Sequence, residues 1–236
     1  TRHPFGMMPE TTDFKALKTQ DLVDFHQDHY FSGNCFIFLA GKIPNGCIDL
    51  LNNYLGHLPV NKTTDKQPAD IPIARANEKK MLKPKKNAIQ NAIKIGCLSI
   101  PKKHPDFIPL QIANVFLGGY FGSRLMSNIR EKKGYTYGIY SQIIPMKKNS
   151  LFAISTTTSK DKTSKAIDEI YNELVKLRKH ITRDDEINRV KNYLSGELLR
   201  TFDGPFSQLT ALKSMILEDL GLDFYRKFLL SVQKTN

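Results

Sequence analysis

LGGYFGSRLMSNIREKKGYTYGIYSQI, residues 117–143, is the stretch that decides the fold. It predicts a glycine-rich loop, a short basic helix, a break at Gly134 and an aromatic strand that runs to Ile143. A second run of β-branched and aromatic residues, SLFAISTTT at 150–158, follows after a short turn. The two runs together predict an antiparallel hairpin.

The elements around this hairpin indicate the fold class. NAIQNAIKIGCLSI at 87–100 alternates well enough for a strand, and 104–117 predicts a helix. Beyond the hairpin, four amphipathic helices are predicted from apolar stripes. The stripes are Ile167, Ile170, Tyr171, Leu174 and Val175; Ile187, Val190, Leu194 and Leu198; Leu209, Leu212, Ile216 and Leu220; and Phe224, Phe228 and Val232. Strands followed by stacked helices are typical of an α+β fold, here a mostly antiparallel sheet covered on one face by helices.

The chain before this sheet falls into two parts. Residues 1–60 predict a helix at 19–30, a strand in the apolar run CFIFLAGKI at 35–43, and a helix at 47–58. Residues 61–86 change to Asn, Lys, Thr, Asp and Pro without an amphipathic period, which is typical of a linker.

Composition and charge narrow the class of protein. The 236 residues are 40% hydrophobic and 25% charged, so a packed core is expected. No apolar run is long enough for a membrane span. The sequence opens at Thr1 without a basic and apolar leader, so we expect periplasmic export only if a signal peptide lies upstream. The net charge of +12 is spread over predicted loops and helix ends, and no nucleic-acid-binding motif is present. Nucleic acid is not the expected partner, although a basic polyanion-binding domain stays an alternative.

Metal and nucleotide motifs are missing from the sequence. A helix-borne zinc site needs two histidines one turn apart and a glutamate, but His26 and His29 lack that carboxylate, and the three cysteines form no pair. We therefore interpret the histidines as packing residues and expect no metal site in this chain. The glycines at 118, 119 and 122 suggest a phosphate cradle, but the Gly-Lys-Ser/Thr ending is absent.

Arg130 and Tyr137 are the remaining candidates for chemistry. They lie seven residues apart across Gly134, so a reversal there brings guanidinium and phenol onto one side. Such a pair donates hydrogen bonds to a carbonyl or a developing oxyanion. The alternative is a solvated charge run at 130–133 and an ordinary strand aromatic, and composition alone favours that alternative.

A family resemblance bears on this choice. GSRLMSNIREKKGYTYGIY resembles the second-lobe signature of the pitrilysin/insulinase zinc metallopeptidases, the inverzincins that include mitochondrial processing peptidase, and Arg130 and Tyr137 match its arginine and tyrosine. Upstream, HPFG at 3–6, TQDLVDFHQDHY and FIFLAGKIP follow the order in which such proteins end their first lobe. Downstream, ITRDDEINRVKNYLSGELLRTF follows the same family order, so the resemblance covers nearly the whole chain.

The resemblance implies two homologous α+β lobes that enclose a chamber and have different roles. The first lobe carries H-x-x-E-H and a later glutamate as zinc ligands, which are expected upstream of Thr1 or in a partner subunit. Residues 1–60 would be the tail of that lobe, 61–86 a linker, and 87–236 the second, non-catalytic lobe, cut short at its C-terminus. The chain alone is expected to be inactive.

The resemblance also implies roles for particular residues. Arg130 and Tyr137 would hold the scissile carbonyl and stabilise the tetrahedral intermediate. A flexible loop lining the chamber is expected from Gly118, Gly119, Gly122 and Ser123. The expected partners are a peptide or unfolded polypeptide and the catalytic zinc lobe. The strand at 35–43 is expected to pack on the open edge of the second lobe or to pair between molecules of a homodimer. A non-enzymatic core subunit of the same fold is the main alternative.

Overall fold

The computed structural model describes residues 7–30, 35–58, 78–146, 148–179 and 183–235. The chain divides into two compact units, Thr1–Pro84 and Lys85–Asn236, and the boundary falls within the predicted linker. HPFG at 3–6 and most of the predicted linker lie outside the described residues. The assignment of 1–60 to another lobe therefore stays a prediction.

The first unit contains the helices α1 (Thr11–Ala16), α2 (Thr19–Tyr30) and α3 (Cys47–Leu55). The predicted helices at 19–30 and 47–58 are confirmed in α2 and α3. The predicted strand at 35–43 is wrong, because its residues form no strand and its side chains are largely exposed. An extended run becomes a strand only when a neighbour accepts its backbone hydrogen bonds, and no described strand does so here. None of α1, α2 and α3 has a buried residue.

The second unit is built on a three-stranded antiparallel sheet. Its strands are β1 (Gln90–Ser99), β2 (Ile139–Pro145) and β3 (Ser150–Ser159), in the order β1-β3-β2. The three strands confirm the sequence prediction, including the β2–β3 hairpin. Thr156 pairs with Ile93 of β1 and with Ile139 of β2, so these three side chains share the buried face.

The helices of this unit pack either on that face or on other helices. They are α4 (Phe107–Asn114), continued by a π-helical turn (Val115–Gly119); a π-helix (Met126–Lys132); a 3-10 turn (Lys160–Lys162); α5 (Thr163–Lys179); α6 (Asp184–Thr201); α7 (Gly204–Leu217); and α8 (Phe224–Lys234). Pro109 is the third residue of α4, where its missing N–H has no intrahelical acceptor to lose. Helices and an antiparallel sheet together confirm the α+β fold class. Within the described residues, no helix combines the length and apolar character needed to cross a membrane.

Two clusters of buried side chains form the core of the second unit. The first joins the sheet to the π-helix and α5 through Ile93, Leu117, Leu125, Met126, Ile129, Ile139, Ile154, Ala166 and Ile170. The second joins α4 to α6 and α8 through Ile112, Val115, Phe116, Ile187, Val190, Leu194 and Val232. The stripes predicted for α6 and α8 supply Ile187, Val190, Leu194 and Val232, so most of those two stripes faces the core.

The stripe predicted for α7 is on the wrong side. Ala211 and Met215 are its buried residues, whereas Leu212 and Ile216 are 37% and 39% exposed. The sequence of α7 is apolar on several sides, so its 3.6-residue period does not select one face. Tyr171 of the α5 stripe is also exposed.

Candidate functional site

The helical segment that carries Arg130 is fixed by its buried side. Leu125, Met126 and Ile129 are at most 1% exposed and pack in the core beneath the sheet. The segment ends at Gly134, whose φ of +61° lies in the left-handed region that favours glycine. Gly134 N–H donates to the carbonyl of Arg130 at 3.1 Å, and Tyr135 N–H donates to the carbonyl of Ile129 at 3.0 Å. The chain therefore reverses at Gly134, as the sequence predicts.

The Arg130 guanidinium lies at the exposed end of the segment and is held from three sides. Its Nε donates to the main-chain oxygen of Tyr137 at 3.0 Å, and its Nη1 donates to Glu131 Oε1 at 3.1 Å. The ring centroid of Phe121 lies 4.7 Å from the guanidinium carbon. Two of the five N–H groups are engaged by these hydrogen bonds, so others remain to donate to a ligand.

Tyr137 lies in a bend two residues before β2 and not in the strand itself. Its side chain is 93% exposed. The bend is tied down through its neighbour, because Thr136 Oγ1 donates to the carbonyl of Thr157 at 2.8 Å and accepts from Gly138 N–H at 3.1 Å. The structure thus brings Arg130 to the Tyr137 main chain and leaves the phenol projecting into solvent.

A polar network fastens the segment to α5. Asn128 Nδ2 donates to Glu169 Oε2 at 2.9 Å and to Glu173 Oε1 at 2.7 Å. Lys133 Nζ lies 2.6 Å from Glu169, and Lys176 Nζ lies 2.8 Å from Glu173, which is only 5% exposed. The hydrogen bond from Lys133, followed by that from Asn128, holds the pKa of Glu169 below its ordinary value.

An ion pair fastens the start of the same segment to α6. Arg124 donates to both carboxylate oxygens of Glu186, from Nε at 2.7 Å and from Nη2 at 2.9 Å. Each side chain is 15% exposed, and the hydrogen bond with Glu186 raises the pKa of Arg124. Two-pronged pairs of this kind fix orientation as well as distance. The site is therefore presented from a helix that is anchored at both ends.

Sequence reasoning missed this support, although part of its signal is present. Glu169 and Glu173 lie one helical turn apart on α5, so their carboxylates share one face of that helix. Asn128 lies one residue before the buried Ile129. Nothing in the sequence indicates which helices face each other, since the partners are separated by 41 and 45 residues.

Gly118 and Gly119 do not lie in the loop expected from the sequence. Gly118 and Gly119 end the π-helical turn, and a Cβ on the buried Gly118 would lie 2.6 Å from Ser141 Oγ and 2.7 Å from Ser141 N. Gly118 therefore permits close packing against β2. Ser123 is 1% exposed, whereas Gly122 is exposed. Substrate contact by Gly118, Gly119, Gly122 and Ser123 stays a prediction.

A cleft of about 440 Å³ opens beside Tyr137. It is lined by Gln90, Ala92, Ile93, Lys94, Thr136, Tyr137, Gly138, Ser155, Thr156 and Thr157. These residues come from the start of β1, the end of β3 and the bend before β2. The described residues of the lining thus combine hydroxyl groups, one amide and one ammonium group, and none of them carries a carboxylate.

The described residues do not fit a metal centre. Among them, no three His, Cys, Asp or Glu side chains lie close enough to hold an ion. On α2, His26 stacks on Tyr30 with ring centroids 4.8 Å apart, and His29 meets the edge of Phe25 at 4.3 Å. Both contacts lie within α2, whose residues are all exposed, so the interpretation of the histidines as packing residues stays a prediction. We assign no metal-dependent step to this part of the chain.

Fold and site together define an α+β domain that presents hydrogen-bond donors from a rigid helix end. The sequence model described as the peptidase M16 inactive domain matches residues 16–194, which is more than half of the chain. The chain therefore belongs to the peptidase M16 family and contains its inactive domain.

Individual relatives agree with this assignment. A protein of Bacillus subtilis named as the uncharacterized zinc protease YmxG is 22% identical over 196 residues, which cover 83% of this chain and 46% of the relative. The solved peptidase M16 inactive domain from Pseudomonas fluorescens has a TM-score of 0.58 and 27% identity, covering 62% of this chain and 35% of that one. A protease from Helicobacter pylori shares the fold at a TM-score of 0.74 and 17% identity, covering 93% and 55%. The chain spans about half the length of the curated relatives that it matches.

Proposed function

We propose that this chain is the non-catalytic, substrate-binding half of a zinc metalloendopeptidase. In this role Arg130 and Tyr137 donate hydrogen bonds to the carbonyl at the scissile bond and stabilise the tetrahedral intermediate. The observation that carries the proposal is that the side chain of Tyr137 is 93% exposed while the main-chain oxygen of the same residue holds the guanidinium of Arg130. The family assignment supports it, since the relatives are named zinc proteases.

The chemistry available to this pair is donation. A guanidinium stays protonated in proteins, and a phenol is protonated at neutral pH, so neither abstracts a proton there. Donors that are oriented before the substrate arrives need no reorganisation when negative charge develops on the carbonyl oxygen. Removing one such donor typically lowers turnover about 100-fold or more in enclosed sites. We expect a smaller effect, about 10- to 100-fold, where the donor is as exposed as Tyr137.

The anchoring contacts explain how an exposed pair is kept in place. Arg124 and Asn128 hold the segment to α6 and α5, and Gly134 sets the direction in which the chain leaves it. Thr136 then fixes the bend against β3. Only the two side-chain tips are left to respond to a ligand, which reduces the entropy lost on binding.

We extend the proposal to the organisation of the whole protein. Residues 1–60 are the tail of the first lobe, 61–86 the linker and 87–236 the second lobe. The first unit supports this, because Leu22, Phe25, Ile48 and Tyr54 are 56–71% exposed and none of its described helices has a buried residue. Apolar helices need a covering surface. The companion first lobe, which would carry the zinc ligands, is the occupant we propose. Export follows only if a leader precedes this lobe.

The oligomeric state tests that organisation. We expect the 236-residue chain to become monomeric and better folded when the first lobe is joined to it. Sedimentation and thermal unfolding of the chain with and without that lobe give the answer. A stable homodimer of the 236-residue chain that persists after the lobe is joined would contradict the proposed covering.

Peptide binding tests the site directly. An uncharged peptide of about ten residues, a length that spans a typical site, is titrated into the ¹⁵N-labelled chain. We expect its amide shifts to concentrate between residues 130 and 138 and its affinity to fall in Arg130→Ala. The exposed Arg178 of α5 supplies the control variant Arg178→Ala. Shifts confined to other regions, or an affinity unaffected by Arg130→Ala, would favour the structural core subunit instead.

Activity of the isolated chain gives a second test. We expect no cleavage of peptides by the purified chain, because its described residues offer no metal centre. A cleavage activity that a chelator abolishes would overturn the placement of all zinc ligands in the companion lobe.

A further inference from the structure

The cleft beside Tyr137 has a one-sided charge. Among the described residues that line it, Lys94 alone has a formal charge at neutral pH, and no carboxylate joins it there. The other polar side chains of this lining are one amide and five hydroxyls, those of Gln90, Thr136, Tyr137, Ser155, Thr156 and Thr157. A ligand in this cleft therefore meets an ammonium group surrounded by neutral donors and acceptors.

The sheet places Lys94 where it faces the cleft. Lys94 pairs with Ser155 across the β1–β3 ladder, and Ala92 pairs with Thr157 one step along. Residues two apart on a strand share a face, so Ala92 and Lys94 lie on one side of β1, opposite to the buried Ile93. Within the described part of the chain, no acidic side chain forms an ion pair with Lys94 or accepts a hydrogen bond from its ammonium. Its ammonium is available to a ligand.

Small neighbouring side chains keep the cleft open. Ala92 and Gly138 contribute almost no volume, and the hydroxyl of Thr136 is already engaged with the carbonyls of Gly138 and Thr157. The cavity volume of about 440 Å³ lies within the range of small-ligand pockets, roughly 300–1,000 Å³. One peptide side chain with part of its backbone fits such a space.

We propose that this cleft is a substrate subsite for an acidic side chain, with Lys94 as the residue that sets the preference. The inference rests on the proposed function, because Tyr137 lines both the cleft and the carbonyl site. A carboxylate next to the bound carbonyl accepts from the ammonium of Lys94 and from neighbouring hydroxyls. A lysine or arginine side chain finds a like charge there and no carboxylate to pair with.

Two matched peptides test the subsite. They are about ten residues long, uncharged except at one central position, and carry Glu in one case and Gln in the other. Titration into the ¹⁵N-labelled 236-residue chain gives both affinities from the amide shifts of Tyr137 and Gly138. We expect the Glu peptide to bind about threefold more tightly, as suits a partly exposed charge pair. Added salt should reduce this ratio.

The variants separate this inference from the proposed function. Lys94→Met should bring the ratio close to one and leave the affinity for the Gln peptide unchanged, whereas the control Lys165→Met, at an exposed lysine of α5, should keep the ratio. Equal affinities of the two peptides for the unmodified chain would overturn the subsite, and so would an affinity ratio that persists in Lys94→Met. In either case the proposed carbonyl site is retained if Arg130→Ala still weakens the binding of both peptides. Failure of both peptides to shift residues 130–138 overturns the proposed function and the subsite together.

Discussion

The two ends of the segment from Arg124 to Gly138 differ in how deeply their side chains are buried and in how firmly these side chains are bound to neighbouring elements. At its base, Leu125 and Ile129 are fully buried, and Arg124 and Asn128 are bound to carboxylates of α6 and α5. At its tip, Tyr137 is 93% exposed. One short stretch of sequence therefore contains residues that are buried in the core and a residue whose side chain is open to solvent. The comparison predicts that base substitutions change stability and tip substitutions change binding.

Two glycines repeat the same contrast. Gly118 lies against β2, where a Cβ would collide with main-chain and side-chain atoms of Ser141. Gly134 has no atom within 4 Å of its would-be Cβ, but its φ of +61° is strained for other residues. The first glycine serves packing and the second serves chain direction, although the sequence shows the same letter at both.

Gly118→Ala, at a position that contacts Leu125 of the base, should reduce the stability of the fold most. The added Cβ would stand 2.7 Å from the main-chain nitrogen of Ser141, which cannot swing away as a flexible side chain could. We expect a loss of about 1–3 kcal/mol in the free energy of unfolding, measured by urea denaturation. Gly196→Ala in α6 is the matched control, because that position has open space and alanine favours the helix. Equal stability of Gly118→Ala and the parent chain would show that the packing at β2 is looser than described.

Asn128→Ala should weaken the base to a smaller extent. It removes two hydrogen bonds to carboxylates, while Lys133 and Lys176 continue to neutralise Glu169 and Glu173. We expect a loss of about 1–2 kcal/mol in the same measurement. Asn172→Ala, at an exposed position of α5, is expected to change the free energy of unfolding little. If Asn128→Ala lowered the peptide affinity without lowering the free energy of unfolding, Asn128 would belong with the ligand-binding residues and not with those that stabilise the fold.

The smallest expected effect is a pH dependence carried by Glu169. The pKa of Glu169 is lowered in the folded chain, chiefly by the hydrogen bond from Lys133. The stabilisation from this carboxylate is therefore present above the ordinary carboxyl pKa of 4.5, and it is lost as the pH falls through the lower pKa of the folded state. Glu169→Gln should therefore show a smaller fall in the free energy of unfolding between about pH 6 and about pH 3 than the parent chain. Glu78→Gln, in the other unit, is the charge-matched control. Parallel pH profiles for the parent chain and Glu169→Gln would contradict this role.

The sequence was informative wherever a local pattern decides the outcome. Alternation predicted β1, two runs of β-branched and aromatic residues predicted the hairpin, Gly134 predicted the reversal, and the order of strands and helices predicted the α+β class. The family signature placed attention on Arg130 and Tyr137, which the structure brings together through a hydrogen bond to the main chain.

The failures have a common cause, since each depends on distant partners. The apolar run at 35–43 predicts a strand, but a strand exists only when another strand pairs with it. The glycines at 118 and 119 predict a flexible loop, yet the nearness of Ser141 turns Gly118 into a packing position. The sequence gives no sign of a special role for Asn128 or Lys94. The carboxylates that bind Asn128 lie on α5, and much of the cleft around Lys94 is formed by β3 and by the bend before β2.

The central claim is that Tyr137 and Arg130 act on the substrate and not on the fold or the metal. Its most direct test is the turnover number of the intact, two-lobed protein carrying Tyr137→Phe, measured beside Tyr171→Phe, a change at an exposed tyrosine of α5. We expect Tyr137→Phe to lower turnover about 10- to 100-fold, with zinc content and thermal stability unchanged, and Tyr171→Phe to have no effect. Unchanged turnover in Tyr137→Phe, or a loss of bound zinc along with the activity, would contradict the claim.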